Sequence, residues 1–227
     1  MVTRSWHAVA TLVDPVRRAL YDYVRSQDHP VSREEAAEAQ RISRNLAAHH
    51  LDKLVDATLL RAHYRAPTGR PRGRGRTPKL YEPADDGVVL SVPERRYDLI
   101  GEILTDAVAE APDDARTAAC RIARRIGQRT GRQAAEPATS PADLAAACET
   151  LAECGFAPRQ SGRYAVLDNC PFHALAQRQP ELICAVNLAL VDGLLDGLGA
   201  AQLRARLAPR PGACCVQIDQ VGGDAKR

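Results

Sequence analysis

The sequence predicts a mainly α chain with small β elements, divided into two parts of different character. Three observations predict it. Residues 1–85 lay out helix, short helix, helix and then two strands. Charge is split unevenly: residues 1–83 hold 15 Arg and Lys against 9 Asp and Glu, and residues 84–227 hold 16 against 19, within an overall charge of +3. From residue 141 onward, helical stretches alternate with short runs bounded by Gly and Pro, as in an α+β domain. Helix, short helix, helix and hairpin is the order of a winged helix-turn-helix. A basic segment joined to a slightly acidic remainder suits a nucleic-acid-binding unit coupled to a second function. The expected division is a winged helix-turn-helix over 1–85, a helical dimerisation or linker region over 93–130, and a cysteine-containing α+β sensor domain over 141–219.

The first helix opens at Asp14-Pro15, an N-cap followed by a residue whose missing N–H would be unpaired there anyway. Val16, Leu20, Tyr23 and Val24 recur on one face, and His29-Pro30 closes the unit. Ser32 with Glu35 is a capping box that starts a short helix to residue 39. A third helix is predicted over 43–57. Ala47, Leu51, Leu54 and Val55 line one side of it; Arg44, Asn45, Ala48, His49 and Asp52 fall largely on the other. Residues 59–65 read as a strand and Lys79-Leu80-Tyr81 as its returning partner. Between them, Gly69-Arg70-Pro71-Arg72-Gly73-Arg74-Gly75-Arg76 alternates arginine with glycine or proline.

A helix that enters the major groove needs small or polar outer residues so that base edges can be reached. Ser43, Arg44, Asn45, Ala48 and His49 meet that need and are the candidate DNA-reading residues. Arg70, Arg72, Arg74 and Arg76 are the candidate wing contacts, because glycine permits close backbone approach and arginine favours a narrow minor groove. Even as a plain basic loop they would add phosphate contacts. The alternative is an exposed polar helix face beside a solvated basic loop.

The stretch Ala48-His49-His50-Leu51-Asp52-Lys53-Leu54-Val55-Asp56-Ala57-Thr58-Leu59-Leu60 resembles the recognition helix and first wing strand of the ArsR-like winged-helix regulators. Asp14-Pro15-Val16-Arg17-Arg18-Ala19-Leu20 resembles their opening helix, and the wing resembles an AT-hook. Thr58 stands where those regulators have glycine. The resemblance implies a DNA-binding transcriptional regulator with a double-stranded operator and a second copy of the chain as partners.

Beyond the wing, residues 93–111 form a helix with Tyr97, Ile100, Leu104, Ala107 and Val108 on one stripe. That stripe is a candidate dimer contact, with packing against its own chain as the alternative. Helix is expected again over 113–128, a linker over 130–141, and helix from Pro141 to Cys154, ended by Gly155. A hairpin over 156–167, a turn at Asn169-Cys170-Pro171, a helix to Gln179 and another over 180–198 follow. Residues 202–207 read as a short helix, and 214–218 as a strand.

Seven cysteines, an odd number, argue against a disulfide framework and for buried thiols, metal ligands or redox chemistry. Cys120 and Cys148 sit in alanine-rich helices and read as packing residues. Cys170, Cys184, Cys214 and Cys215, with His173 three residues after Cys170, form a candidate ligand set. Cys and His together suit zinc, and several thiolates suit an iron–sulfur cluster. Asn169-Cys170-Pro171-Phe172-His173-Ala174-Leu175-Ala176 resembles the Suf-operon iron–sulfur repressors and their relatives. That resemblance implies a [4Fe–4S] cluster, although twenty-nine residues separate Cys184 from Cys214 here.

Together these features predict a cytoplasmic, homodimeric, non-enzymatic DNA-binding repressor with a metal- or cluster-sensing C-terminal domain. No apolar run approaches a membrane span and no secretory signal is read at the N-terminus. The alternative is a zinc-stabilised regulator that answers to a small organic effector. Two further alternatives are a thiol enzyme pairing Cys170 with His173, and a metal-free redox switch at Cys214–Cys215.

Overall fold

The computed structural model describes residues 2–64, 78–84, 87–136 and 142–221. Helix makes up 57% of it and strand 15%, so the chain is mainly α. It divides into two compact units, Met1–Leu90 and Ser91–Arg227.

The first unit contains α1 (Val2–Thr11), α2 (Pro15–Ser26), β1 (Val31–Ser32), α3 (Arg33–Gln40), α4 (Arg44–Asp56), β2 (Leu60–Tyr64) and β3 (Lys79–Pro83). The predicted caps are formed. Asp14 accepts from the amides of Val16 and Arg17, Ser32 and Glu35 complete the capping box, and Ser43 caps α4 by accepting from the Leu46 amide. The turn between α3 and α4 hinges on Arg41, which is left-handed at φ 54°. β3 lies between β1 and β2 in an antiparallel sheet, with Ala62 opposite Tyr81. Leu20, Val24, Val31, Leu51, Leu54, Leu60 and Tyr81 fill the core. α1 is absent from the sequence reading; Ala8 anchors it, fully buried against that core.

The second unit starts with α5 (Tyr97–Glu110), a 3-10 turn, α6 (Ala115–Ala135), α7 (Leu144–Glu153) and the hairpin β4 (Pro158–Ser161) and β5 (Tyr164–Leu167). α8 (His173–Arg178), α9 (Pro180–Gly197), β6 (Leu203–Leu207) and β7 (Val216–Gln220) complete it. The strands form one antiparallel sheet in the order β4-β5-β7-β6. Its core joins Ile100, Ile122, Leu151, Phe172, Val191, Leu194 and Ile218.

Three expectations are corrected. α6 runs through Thr130 and Gly131 to Ala135, where a linker is expected from residue 130. Gly131 is there for packing: a Cβ on it would lie 2.2 Å from the Leu194 carbonyl oxygen. Residues 203–207 form a strand and no helix, because Leu203, Arg204, Ala205 and Arg206 alternate with period two and pair with β7. Residues 93–96 precede α5 as a non-helical segment, where a helix is expected from Pro93; Ser91 Oγ accepts from the Arg95 amide there.

α6 and α9 run parallel at very close range. Gly127 and Gly131 face Leu190–Leu194 and Leu194–Leu198, while Gly193 and Gly197 face Arg124 and Gln128. With no Cβ at four crossing positions the backbones touch, as small residues permit wherever helices meet. Arg124 bridges Asp192, at 2.5 Å, and Asp196 along one edge of this seam.

Candidate nucleic-acid interface and thiol group

α4 turns Ala47, His50, Leu51 and Leu54 into the core. Ser43, Arg44, Asn45 and His49 are exposed and Ala48 is half-buried. All five predicted reading residues therefore stand on the outward side of the helix that follows the Arg41 turn. Arg70, Arg72, Arg74 and Arg76 lie outside the described residues.

Asp52, placed on the outer face by periodicity, ties the helix to the wing strand. It accepts from Lys79 Nζ at 2.6 Å and from Tyr81 Oη at 2.8 Å. Tyr81 is buried, and burial followed by the Asp52 carboxylate pushes its phenol far above the ordinary range. The network ties α4 to β3, joining the helix to the base of the wing.

At the end of α4 the Leu59 amide reaches the Leu54 carbonyl and the Thr58 amide the Val55 carbonyl, with Thr58 left-handed at φ 59°. This is the Schellman arrangement that usually takes glycine. His50, on the buried face, has an Nδ1 without a hydrogen-bond partner. Burial holds its pKa below the histidine range, although the Asp14 carboxylate pulls the other way.

In the second unit the fold gathers the four cysteines that sequence spacing selects. β5 ends three residues before Cys170, and β7 begins just after Cys214 and Cys215; the two strands are antiparallel neighbours. The Cys214 amide accordingly donates to the Leu167 carbonyl at 2.8 Å. Cys184 comes from the start of α9. The thiols are linked in sequence: Cys184 with Cys215, Cys215 with Cys214, and Cys214 with Cys170. Cys170 and Cys214 are buried; Cys184 and Cys215 are half-buried and form the outer side.

Three of the linked thiols, Cys170, Cys214 and Cys184, are shifted toward the protonated form. The bond to Cys214, then burial, drives Cys170 far up. Cys214 is pushed up to about 11: the bond to Cys170 lowers it, but the bond to Cys215 and burial outweigh that. Cys184 is raised by burial. Other contacts favour the sulfur anions. The amides of Phe172 and Val216 hydrogen-bond to the sulfurs of Cys170 and Cys214, each two residues upstream. Asn187, one helical turn after Cys184 and 1% exposed, donates Nδ2 to Cys214 Sγ at 3.1 Å. Its Oδ1 is buried with no partner. Among the described residues no three His, Cys, Asp or Glu side chains are grouped so as to hold a metal ion as they stand; the thiols form a chain rather than pointing at one centre.

His173, first residue of α8, is exposed and shares none of these thiol contacts. Cys170 and His173 therefore make no activated thiolate–imidazole pair among the described residues. Cys120, Cys148 and Cys154 lie apart on α6, on α7 and just after it, each raised by burial. The stripe on α5 packs into its own unit through Ile100, Leu104 and Ala107, while Tyr97 and Val108 are exposed. A cavity of about 500 Å³ opens between α5, α6, α7 and α9, lined among others by Leu99, Ile126, Phe156, Arg96 and Glu153.

The class that this geometry defines is a DNA-binding regulator built on a helix-turn-helix. Residues 12–63 match a family described as a helix-turn-helix domain, which spans α2 to β2. The chain matches none of the curated proteins and none of the solved structures compared with it. No helix among the described residues is long and apolar enough to cross a membrane.

Proposed function

We propose that the chain is a homodimeric transcriptional repressor that reads a double-stranded operator with α4 and its wing and carries a metal centre on Cys170, Cys184, Cys214 and Cys215. The linked group of four thiols carries this reading. Four cysteine ligands suit a [4Fe–4S] cluster and tetrahedral zinc alike. When bound, such a centre supplies the positive charge that holds four thiolates together and, if it is iron–sulfur, a sensitivity to oxidation. The chain's own residues do the rest. On loading, the thiols would give up their protons, and the amides of Phe172 and Val216 and the Asn187 side chain would donate to the resulting thiolates. Ser43, Arg44, Asn45, Ala48 and His49 face the major groove, and the arginines of residues 70–76 add backbone and minor-groove contacts. Trp6, Val9 and Val13 leave apolar side chains exposed along and just beyond α1, which favours a second copy as partner.

Metal and acid-labile sulfide analysis, with a visible spectrum, on protein purified without oxygen tests the centre. Brown protein with iron and sulfide, both lost in Cys170→Ala, establishes an iron–sulfur sensor. Colourless protein with stoichiometric zinc establishes a structural centre. Protein with neither rejects the metal reading and leaves a DNA-binding chain with buried thiols.

The cavity supports a second reading, a zinc-stabilised regulator that takes an organic effector. Its volume falls within the range of small-molecule sites. Leu99→Trp, which puts a larger side chain at a lining position, should then abolish induction while DNA affinity stays.

A further inference from the structure

Four hydrogen bonds tie the segment that follows the DNA-binding unit to the loop that carries Cys170. Arg95 Nη1 donates to Asn169 Oδ1 and, at 2.8 Å, to the Cys170 carbonyl. The Arg96 amide donates to the Pro171 carbonyl at 3.1 Å. In return, Asn169 Nδ2 donates to the Glu94 carbonyl at 3.0 Å, and also to the Gly155 carbonyl at 2.6 Å. Asn169 is buried. Arg95 also sets its positive charge against the Cys170 thiol. The tether on the other side is short. Val88 packs on the core of the first unit, which ends at Leu90, so only residues 89–94 separate it from Arg95. Such a tether spans roughly 25 Å at full extension.

We propose that Arg95 and Asn169 form a clasp through which the state of the thiol centre reaches the DNA-binding unit. This rests on the metal-centre reading. With the centre loaded, Cys170 is anchored, residues 169–171 are fixed and the clasp holds residues 94–96. With the centre empty, only the thiol hydrogen bonds and the clasp itself hold the loop, so the connector opens more readily. Coupling requires an element with two arrangements that both sites bias. Here that element is the connector, either closed on the cysteine loop or free of it. Arg95 acts as a positioning residue: it bonds the carbonyl of the ligand-bearing residue and touches no metal itself.

Hydrogen exchange on the full chain tests this, comparing metal-free, reduced protein with the same protein loaded with Zn²⁺. The Arg96 amide is one of the four bonds, so it reports directly. The native chain should exchange at least tenfold more slowly at residues 94–97 when loaded. Arg95→Met should bind the same equivalents of Zn²⁺, measured by chelator competition, yet show no zinc-dependent protection there. Arg95→Lys should recover part of it. Unchanged protection of β5 and β7 checks the fold, and Arg95→Lys, which keeps the charge on a side chain one bond shorter and should show less zinc-dependent protection than the native chain, serves as the test if Arg95→Met does not fold. Zinc bound with equal exchange at 94–97 in both states overturns the clasp and leaves the metal centre standing. Full zinc-dependent protection in Arg95→Met removes Arg95 from the clasp. A native chain that binds no Zn²⁺ and, purified without oxygen, carries no iron or sulfide overturns both readings.

Discussion

Replacing Gly131 by alanine should destabilise the second unit while leaving the first untouched. The added Cβ would sit 2.2 Å from the Leu194 carbonyl oxygen and 2.8 Å from the Leu198 amide nitrogen. Ordinary carbon–oxygen contact needs about 3.3 Å, so α6 and α9 must separate by roughly 1 Å. The obstacles are backbone atoms, which cannot swing aside as a side chain would. A gap of about that size forfeits a quarter to a half of each dispersion contact along the seam. Overpacking costs about 1–3 kcal/mol, occasionally more, and alanine's better helix propensity returns about 1 kcal/mol. Backbone obstruction at two points places the cost at or above the upper end, for a net loss of about 2–3 kcal/mol. In a unit of this size that is a fall of about 6–10 °C in Tm. Gly101 is the internal control: it lies on α5 with nothing within 4 Å of a Cβ, so Gly101→Ala should stabilise by about 0.5–1 kcal/mol. Trp6 is the only tryptophan and lies in the first unit. Its fluorescence therefore follows that unit, while far-UV circular dichroism follows both. Gly131→Ala should shift the dichroism transition and spare the fluorescence one. A variant that melts no lower than Gly101→Ala would refute the close-contact reasoning.

Thr58→Gly should stabilise the first unit by about 0.5–1 kcal/mol, since a β-branched residue at φ 59° carries a left-handed penalty that glycine avoids; a lower urea midpoint by Trp6 fluorescence would count against it. His50 should make the same unit acid-sensitive. Its folded pKa is depressed, so it is neutral in both states above about pH 6.5, and below that the unfolded chain takes up the proton first. Asp14 opposes this shift, while His49 and Arg17 add to it. Stability is therefore full above about pH 6.5 and falls as pH drops toward the folded value, and His50→Leu should flatten the decline between about pH 7.5 and 5. Asn187→Leu removes a donor to Cys214 and an unpartnered carbonyl together; metal affinity by chelator competition should fall about 10–100-fold with folding intact, and unchanged affinity would remove Asn187 from the site. Arg44→Ala should weaken binding to a selected operator by about 1–3 kcal/mol, whereas replacing Arg70, Arg72, Arg74 and Arg76 should weaken binding to all duplexes and flatten its salt dependence.

Local chemistry was the legible part of the sequence. Asp14, Ser32 and Ser43 announce their helices because a cap acts on amides two or three residues away. The outer face of α4 follows from a period of 3.6. What depends on distant partners was hidden. Asp52 reads as an outer residue until β3 brings Lys79 and Tyr81 to it. Gly131 reads as a breaker because its neighbour lies more than sixty residues along the chain. Residues 203–207 are too short to separate a strand from a helical turn without β7. Cysteine spacing singles out the four thiols, but Asn187, Arg95 and Asn169 carry no spacing signal. A polar residue such as Asn187, with apolar Val186, Leu190 and Val191 around it, is the one hint that a buried hydrogen bond awaits it.

The parallel seam of α6 and α9 has a consequence for how the thiol group can respond to anything that binds it. Cys184 and Asn187 ride on a helix whose backbone is locked against its neighbour at four glycines and bridged along the edge by Arg124. Cys170, Cys214 and Cys215 sit in turns beyond the ends of strands. Cys184 thus sits on a braced helix and the other three thiols in turns, so the rearrangement from a chain of thiols to a common centre would fall on the turns. The braced helix would then be the fixed reference, and a change at sulfur would be taken up by the turns, one of which carries Asn169.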